Sequence, residues 1–184
     1  MAGTRRSDFA DALVTSLGLV AILFLMLGAE VVFHLHLERF GILPRTEAGL
    51  LGILFAPLLH ANLQHLLANA APLFVLLFLL LSNRAYHPYR TLAWICGVSG
   101  LGTWSIGRGN ALHIGASSII FGLAAFLIVA GFLMKSWRSA VVAIFVFFLY
   151  GGIFYGALPR AGPICWEGHL CGVLASAWAA KQIK

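Results

Sequence analysis

Apolar residues run in blocks along this chain, and polar ones gather between them. The first block, Leu13–Leu37, is broken by a single acidic residue, Glu30. Others follow at Leu63–Leu81, Thr91–Gly107, Ile114–Met134, Ala140–Leu158 and Trp166–Ala180. A bilayer's hydrocarbon core is spanned by about 20 apolar residues in a helix, so these blocks predict transmembrane helices. The third is short and rich in Gly and Trp. The sixth is only just long enough, which predicts tilt, flanking lysines that snorkel, or burial inside a bundle. The expected fold is an all-α membrane protein, a bundle of six transmembrane helices. Between the first two blocks, Gly41–Leu59 starts too polar to span. Pro44-Arg45-Thr46-Glu47 predicts a helix start and Pro57 its end, so this stretch reads as an interfacial or re-entrant element.

Composition agrees with a lipid setting. Of 184 residues, 61% are apolar and 10% charged, whereas soluble domains carry about 25% charge. The cations divide unevenly between the two ends of the blocks. Arg5, Arg6, Arg84, Arg90, Lys135, Arg138, Lys181 and Lys184 fall on one side; Arg39, Arg45, Arg108 and Arg160 fall on the other. The positive-inside bias puts both termini in the cytoplasm, with tails at 1–12 and 181–184 around one membrane domain at 13–180. The first block reads as a retained helix rather than a cleaved leader. The net charge of +6 implies no nucleic-acid partner, because the arginines sit at segment ends and not in a stripe.

A few polar residues inside the blocks carry the chemistry. Ser117 opens the fourth block after Gly115-Ala116, and His169 opens the sixth. Polar groups are costly in lipid unless they face a protein interior or a wet cavity. Serine with histidine is the least equipment that makes a hydroxyl nucleophilic, so hydrolysis in the membrane plane is the expected activity. Gly115 allows close approach, and the first N–H groups of a helix at Ser117 are free to stabilise an oxyanion. His65 and Asn69, four apart, share one face at the start of the second block and add two donors on the same leaflet. Gly122 and Gly172 would let the fourth and sixth helices touch. Each residue also has a plainer reading. His65 and Asn69 can satisfy carbonyls freed near Pro72, and Ser117 and Ser118 can be small packing residues.

These motifs resemble the rhomboid intramembrane serine proteases, in their compact bacterial form with six helices. The family's Gly-x-Ser-Gly appears as Gly115-Ala116-Ser117-Ser118 with Gly122 following, and its His-x-x-Gly as His169-Leu170-Cys171-Gly172. His65 and Asn69, with His60 upstream, match its second-helix pattern. The resemblance implies Ser117 as nucleophile and His169 as general base, a dyad without an acidic third member. It further implies that His65, Asn69 and the Ser117 N–H form an oxyanion site. Gly41–Leu59 would be a membrane-embedded first loop, and the fifth helix with Pro159–Trp166 a gate and cap. Substrates would be transmembrane proteins met in a bacterial cytoplasmic membrane, with the site opening to the noncytoplasmic side and lipids as further partners. No cofactor is implied.

Two departures stand out. Ser118 replaces the family's glycine, adding a side chain beside the oxyanion site. The family's Trp-Arg pair in the first loop is absent, leaving Arg39 or Arg45 as contacts to lipid headgroups. His60, His113 and Ser118 are candidates for shaping the cavity or contacting substrate, and His113 reads equally as an interfacial residue. Cys96, Cys165 and Cys171 give no metal or disulfide spacing, and Cys171 does not face His169. The competing classes are a noncatalytic relative that binds membrane clients and a haem or metal protein using His60, His65, His113 and His169. A transporter is disfavoured by the lack of an inverted repeat.

Overall fold

A computed structural model describes residues 2–160, 162 and 164–183, with side chains from residue 8 onward. Met1 and Lys184 of the expected tails, Ala161 and Pro163 of the expected cap, and the Arg5 and Arg6 side chains lie outside it. The described residues form α1 (Ala2–Val32), α2 (Glu47–Phe55), α3 (Leu63–Leu81), α4 (Pro88–Ile106), α5 (Ser117–Leu133), α6 (Trp137–Tyr150) and α7 (Trp166–Lys181). The architecture is all-α, and every apolar block overlaps one helix. Among the described residues, three segments are long and apolar enough to cross a bilayer: Asp8–Val32, Leu63–Leu81 and Trp137–Ala157. The last of these combines α6 with the 3-10 turns of Gly151–Ala157.

The helix starts follow local chemistry. The Thr46 hydroxyl accepts from Gly49 N at 3.1 Å and caps α2, while Asn62 Oδ1 accepts from His65 N at 2.8 Å and caps α3. Pro88 opens α4, where its missing N–H costs nothing. Helix α1 begins within the stretch expected as a tail.

Helix α5 is apolar all round because it is surrounded. Ile119, Ile120, Leu123, Phe126, Leu127 and Ala130 are all buried, and α7, α6, α3 and α4 pack about it. In contrast, α1 and α6 expose large apolar side chains such as Val14, Leu25, Phe147 and Phe148, the surface expected toward acyl chains. The molecule is an integral membrane protein of bundled helices.

The element between α1 and α3 does not float beside this bundle. Ile42 and His113 exchange two backbone hydrogen bonds of 2.9 Å, and Gly115 N donates to Ala56 O at 2.8 Å. Helix α2 also packs on α4, where Trp104 Nε1 donates to Thr46 O at 2.8 Å. Arg45, though exposed, is tied to the bundle as well. Its guanidinium donates to Ser105 O and Gly107 O at 3.1 and 2.8 Å, so this cation ties the first loop to the end of α4. Gly52 makes the packing fit, since a Cβ there would lie 2.3 Å from Gly41 O.

Gly52→Ala should therefore lower stability in detergent by about 1–3 kcal/mol, as overpacking does. Gly18→Ala, whose Cβ meets nothing within 4 Å, should leave stability unchanged or slightly raised. Equal unfolding curves for the two variants would contradict this packing.

Candidate active site

The site forms where the start of α5 meets the start of α7. Gly115 takes φ +107°, a conformation side-chain-bearing residues rarely adopt, and turns the chain into α5. Ala116 N-caps the helix, so Ser117 occupies its first turn, where backbone N–H groups lack intrahelical partners. Ser117 Oγ lies 2.9 Å from His169 Nε2. Helices α5 and α7 come this close because their facing positions are glycines. A Cβ on Gly172 would fall 2.1 Å from Ser118 O, and one on Gly122 would fall 3.0 Å from Gly172 O.

The other imidazole nitrogen defines the proton arrangement. His169 Nδ1 lies 2.9 Å from Gly156 O, and a carbonyl can only accept, so Nδ1 carries the hydrogen. Nε2 is then a lone pair facing the serine hydroxyl, which donates to it. Phe121 lies flat on the imidazole, with centroids 4.0 Å apart and planes at 12°. Gly156 leaves room for both rings, since its Cβ would lie 2.8 Å from Phe121 Cζ. A carbonyl and a phenyl ring thus orient the imidazole, the task an aspartate performs in Ser-His-Asp sites.

Donors surround the space in front of Ser117. A Cβ built on Gly115 would sit 2.8 Å from His65 Nε2 and 3.8 Å from Asn69 Nδ2, so both side chains come up to the glycine's open face. Asn69 spends one N–H on His65 O at 2.9 Å and keeps its second. His60 packs edge-on to His65 at 5.0 Å and is 3% exposed, with neither ring nitrogen bonded within the described residues. A cavity of about 840 Å³ opens over these groups, lined by His65, Asn69, Ser117 and His169 with Arg108 and Cys165. Ser118 lines a smaller void of about 30 Å³ that also borders Ser117 and His169, and a Cβ on Gly168 would lie 3.8 Å from Ser118 Cβ.

His113 is buried and makes two bonds. Its Nε2 meets Arg108 O at 3.2 Å and its Nδ1 meets Cys165 Sγ at 2.8 Å. Because the carbonyl accepts from Nε2–H, Nδ1 must accept from the thiol. Burial pushes the Cys165 thiol up to about 11, which keeps that hydrogen in place, and burial also lowers the basicity of His113. Cys165 is therefore an S–H donor and not a reactive thiolate. Glu167 does not reach His169; it ion-pairs with Arg108, Nε to Oε1 2.9 Å.

Sequence reasoning missed Phe121, the Gly156 carbonyl and the Arg108–Glu167 pair. The first was within reach, as Phe121 is one turn after Ser117 and shares its face. The others depend on how the 3-10 turn and the α4–α5 loop return to the site, which no spacing encodes.

This geometry defines a class, a helical membrane protein with a serine–histidine hydrogen bond consistent with a catalytic dyad. The comparisons name the family. Residues 47–183 match the family described as Rhomboid domain, and the chain belongs to the rhomboid family. It is similar to uncharacterized proteins of Mycobacterium bovis and Mycobacterium tuberculosis, each 43% identical over 187 residues, covering 96% of this chain and 77% of theirs. An uncharacterized protein of Mycobacterium leprae is 41% identical over 179 residues, 91% of this chain and 69% of its own. No solved structure matches the chain significantly.

Gly115→Ala should destabilise the fold by about 1–3 kcal/mol through backbone strain and its clash with His65. Part of that loss should return when His65→Ala is added, because only the clash is relieved. Equal losses in both backgrounds, measured by denaturant unfolding in micelles, would contradict the contact.

Proposed function

We infer that this chain is an intramembrane serine endopeptidase acting on transmembrane proteins. The observation that carries the reading is the 2.9 Å contact of Ser117 Oγ with an imidazole whose other nitrogen is committed to Gly156 O. Ser117 Oγ attacks the scissile carbonyl as its proton passes to His169 Nε2. The tetrahedral oxyanion is held by the Ser117 N–H, His65 and Asn69, with Gly115 leaving the substrate room. His169 then gives its proton to the leaving amine as the C–N bond breaks. Water, deprotonated by His169, attacks the acyl-enzyme, and as the C–Oγ bond breaks His169 returns that proton to Ser117 Oγ. Gly122 and Gly172 keep the two helices in contact, His60 and His113 shape the cavity, and no cofactor takes part.

The reading includes six membrane crossings within residues 13–180, made by α1 and α3–α7, with α2 in the embedded first loop. Both termini lie in the cytoplasm of a bacterium, and the cavity opens to the noncytoplasmic side, as the distribution of lysine and arginine favours. The substrate segment must give up helical hydrogen bonds to lie in the site, which is costly in lipid, so segments with Gly or Pro are the preferred class. One observation favours a second reading, a noncatalytic client binder: Ser118 stands where the family motif has glycine.

Cleavage of single-span reporters in liposomes separates the two. Ser117→Ala and His169→Ala should each lower the rate by about 10³-fold or more, the scale on which members of a nucleophile–base unit act. Ser118→Gly should keep or raise it. A folded natural chain that cleaves nothing across a broad panel would support the client binder instead.

A further inference from the structure

The first turn of α7 bears His169 yet lacks a cap of its own. Cys165 is its N-cap residue and makes no side-chain capping bond, and the turn's local ties are backbone ones, Trp166 N to Ile164 O at 3.0 Å and His169 N to Cys165 O at 3.2 Å. A side-chain tether comes from the loop between α4 and α5, and it acts on carbonyls and a carboxylate, since a guanidinium only donates. Arg108 donates from its two terminal nitrogens to Gly162 O and Ile164 O, both at 2.5 Å, on the segment that enters α7. Its Nε contacts Glu167 Oε1, in the first turn itself, at 2.9 Å. Glu167 is 3% exposed, and a carboxylate that buried is tolerated only beside a cation. The acidic side chain also suits the positive end of the helix. One residue thus grips three points within the seven residues before His169.

The same loop runs on to the nucleophile. Arg108 leads through His113, which bonds Cys165, to Ser117. The loop is fixed at its other end by the Ile42–His113 bridge. We propose that the Arg108–Glu167 pair is a positioning device for catalysis, clamping the first turn of α7 to the loop that carries Ser117 so that the dyad keeps its hydrogen-bonding distance. Arg108 and Glu167 act through His169 and do not replace the missing acid of a triad. The inference rests on the protease reading above.

The test uses the full chain in lipid nanodiscs with a single-span reporter, and separately measures phosphonylation of Ser117 by a fluorophosphonate, which needs no substrate helix to enter. Glu167→Gln and Arg108→Gln should each lower kcat about tenfold or more with KM within about twofold, and phosphonylation should slow in parallel, since a misaligned base weakens the chemical step. The double variant, which leaves no lone charge buried, should lose less than the worse single one. It also supplies the folded case if a single variant fails to fold. Thermal unfolding is recorded for each. Lower melting temperatures with kcat and phosphonylation unchanged, or a loss confined to KM, would overturn the positioning role. So would a double variant whose loss equals the two single losses combined. A natural chain that neither cleaves nor is phosphonylated would instead overturn the protease reading, and the clamp with it.

Discussion

Two helix starts must touch for this site to exist, and everything else follows from that constraint. Ser117 and His169 are separated by 52 residues of sequence and meet at 2.9 Å. Ordinary helix packing keeps axes about 8–10 Å apart, and a serine's single-carbon reach demands the near end of that range. Glycine at 122 and 172 permits close approach, because a Cβ on Gly172 would meet Ser118 O at 2.1 Å and one on Gly122 would meet Gly172 O at 3.0 Å. The rest of the bundle serves this contact. Helix α5 sits at the centre with neighbours on all sides, and α1 and α6 present the outer apolar surface. The element between α1 and α3 braces the turn before Ser117 with backbone bonds at Ile42 and Ala56.

The environment makes the contact chemically useful. A histidine in a carboxylate triad is held by a charge; here it is held by a carbonyl and an aromatic face. Both fix the ring without placing a second ionised group in a region of low dielectric, where such a group would be costly. The carbonyl also selects the tautomer that a general base requires. In the proposed mechanism, donors facing the oxyanion gain strength in the same setting, as fewer waters compete for them. Arg108 and Glu167, both charged and near the site, are paired with each other.

Much of this was legible in the sequence, because lipid imposes strong patterns. Each apolar block overlaps one helix, although α1 begins at Ala2, well before Leu13 of the first block, and α6 ends at Tyr150, well before Leu158 of the fifth. Pro44–Glu47 with Pro57 marked the short element between the first two. The motif spacing brought out Ser117, His169, His65 and Asn69 as a group. The blocks overstated what length and hydropathy alone support, however: α5 and α7 have 17 and 16 residues and owe their place to burial in the bundle. Arg39 or Arg45 was the expected headgroup contact, and Arg45 also bonds carbonyls at the end of α4, since a helix C-terminus is an attractive partner for a cation. The Gly156 carbonyl and the Arg108–Glu167 pair were hidden for a related reason. Each joins segments far apart in the chain through backbone groups, and backbone groups leave no trace in residue identity.

In the proposed mechanism Ser117, activated by His169, is the nucleophile. Peptide mass mapping of the folded chain after exposure to a fluorophosphonate tests it most directly. The account predicts one adduct, on Ser117, which disappears in His169→Ala while Ser118 stays unmodified. An unmodified Ser117, or an adduct on Ser118 in its place, would contradict it.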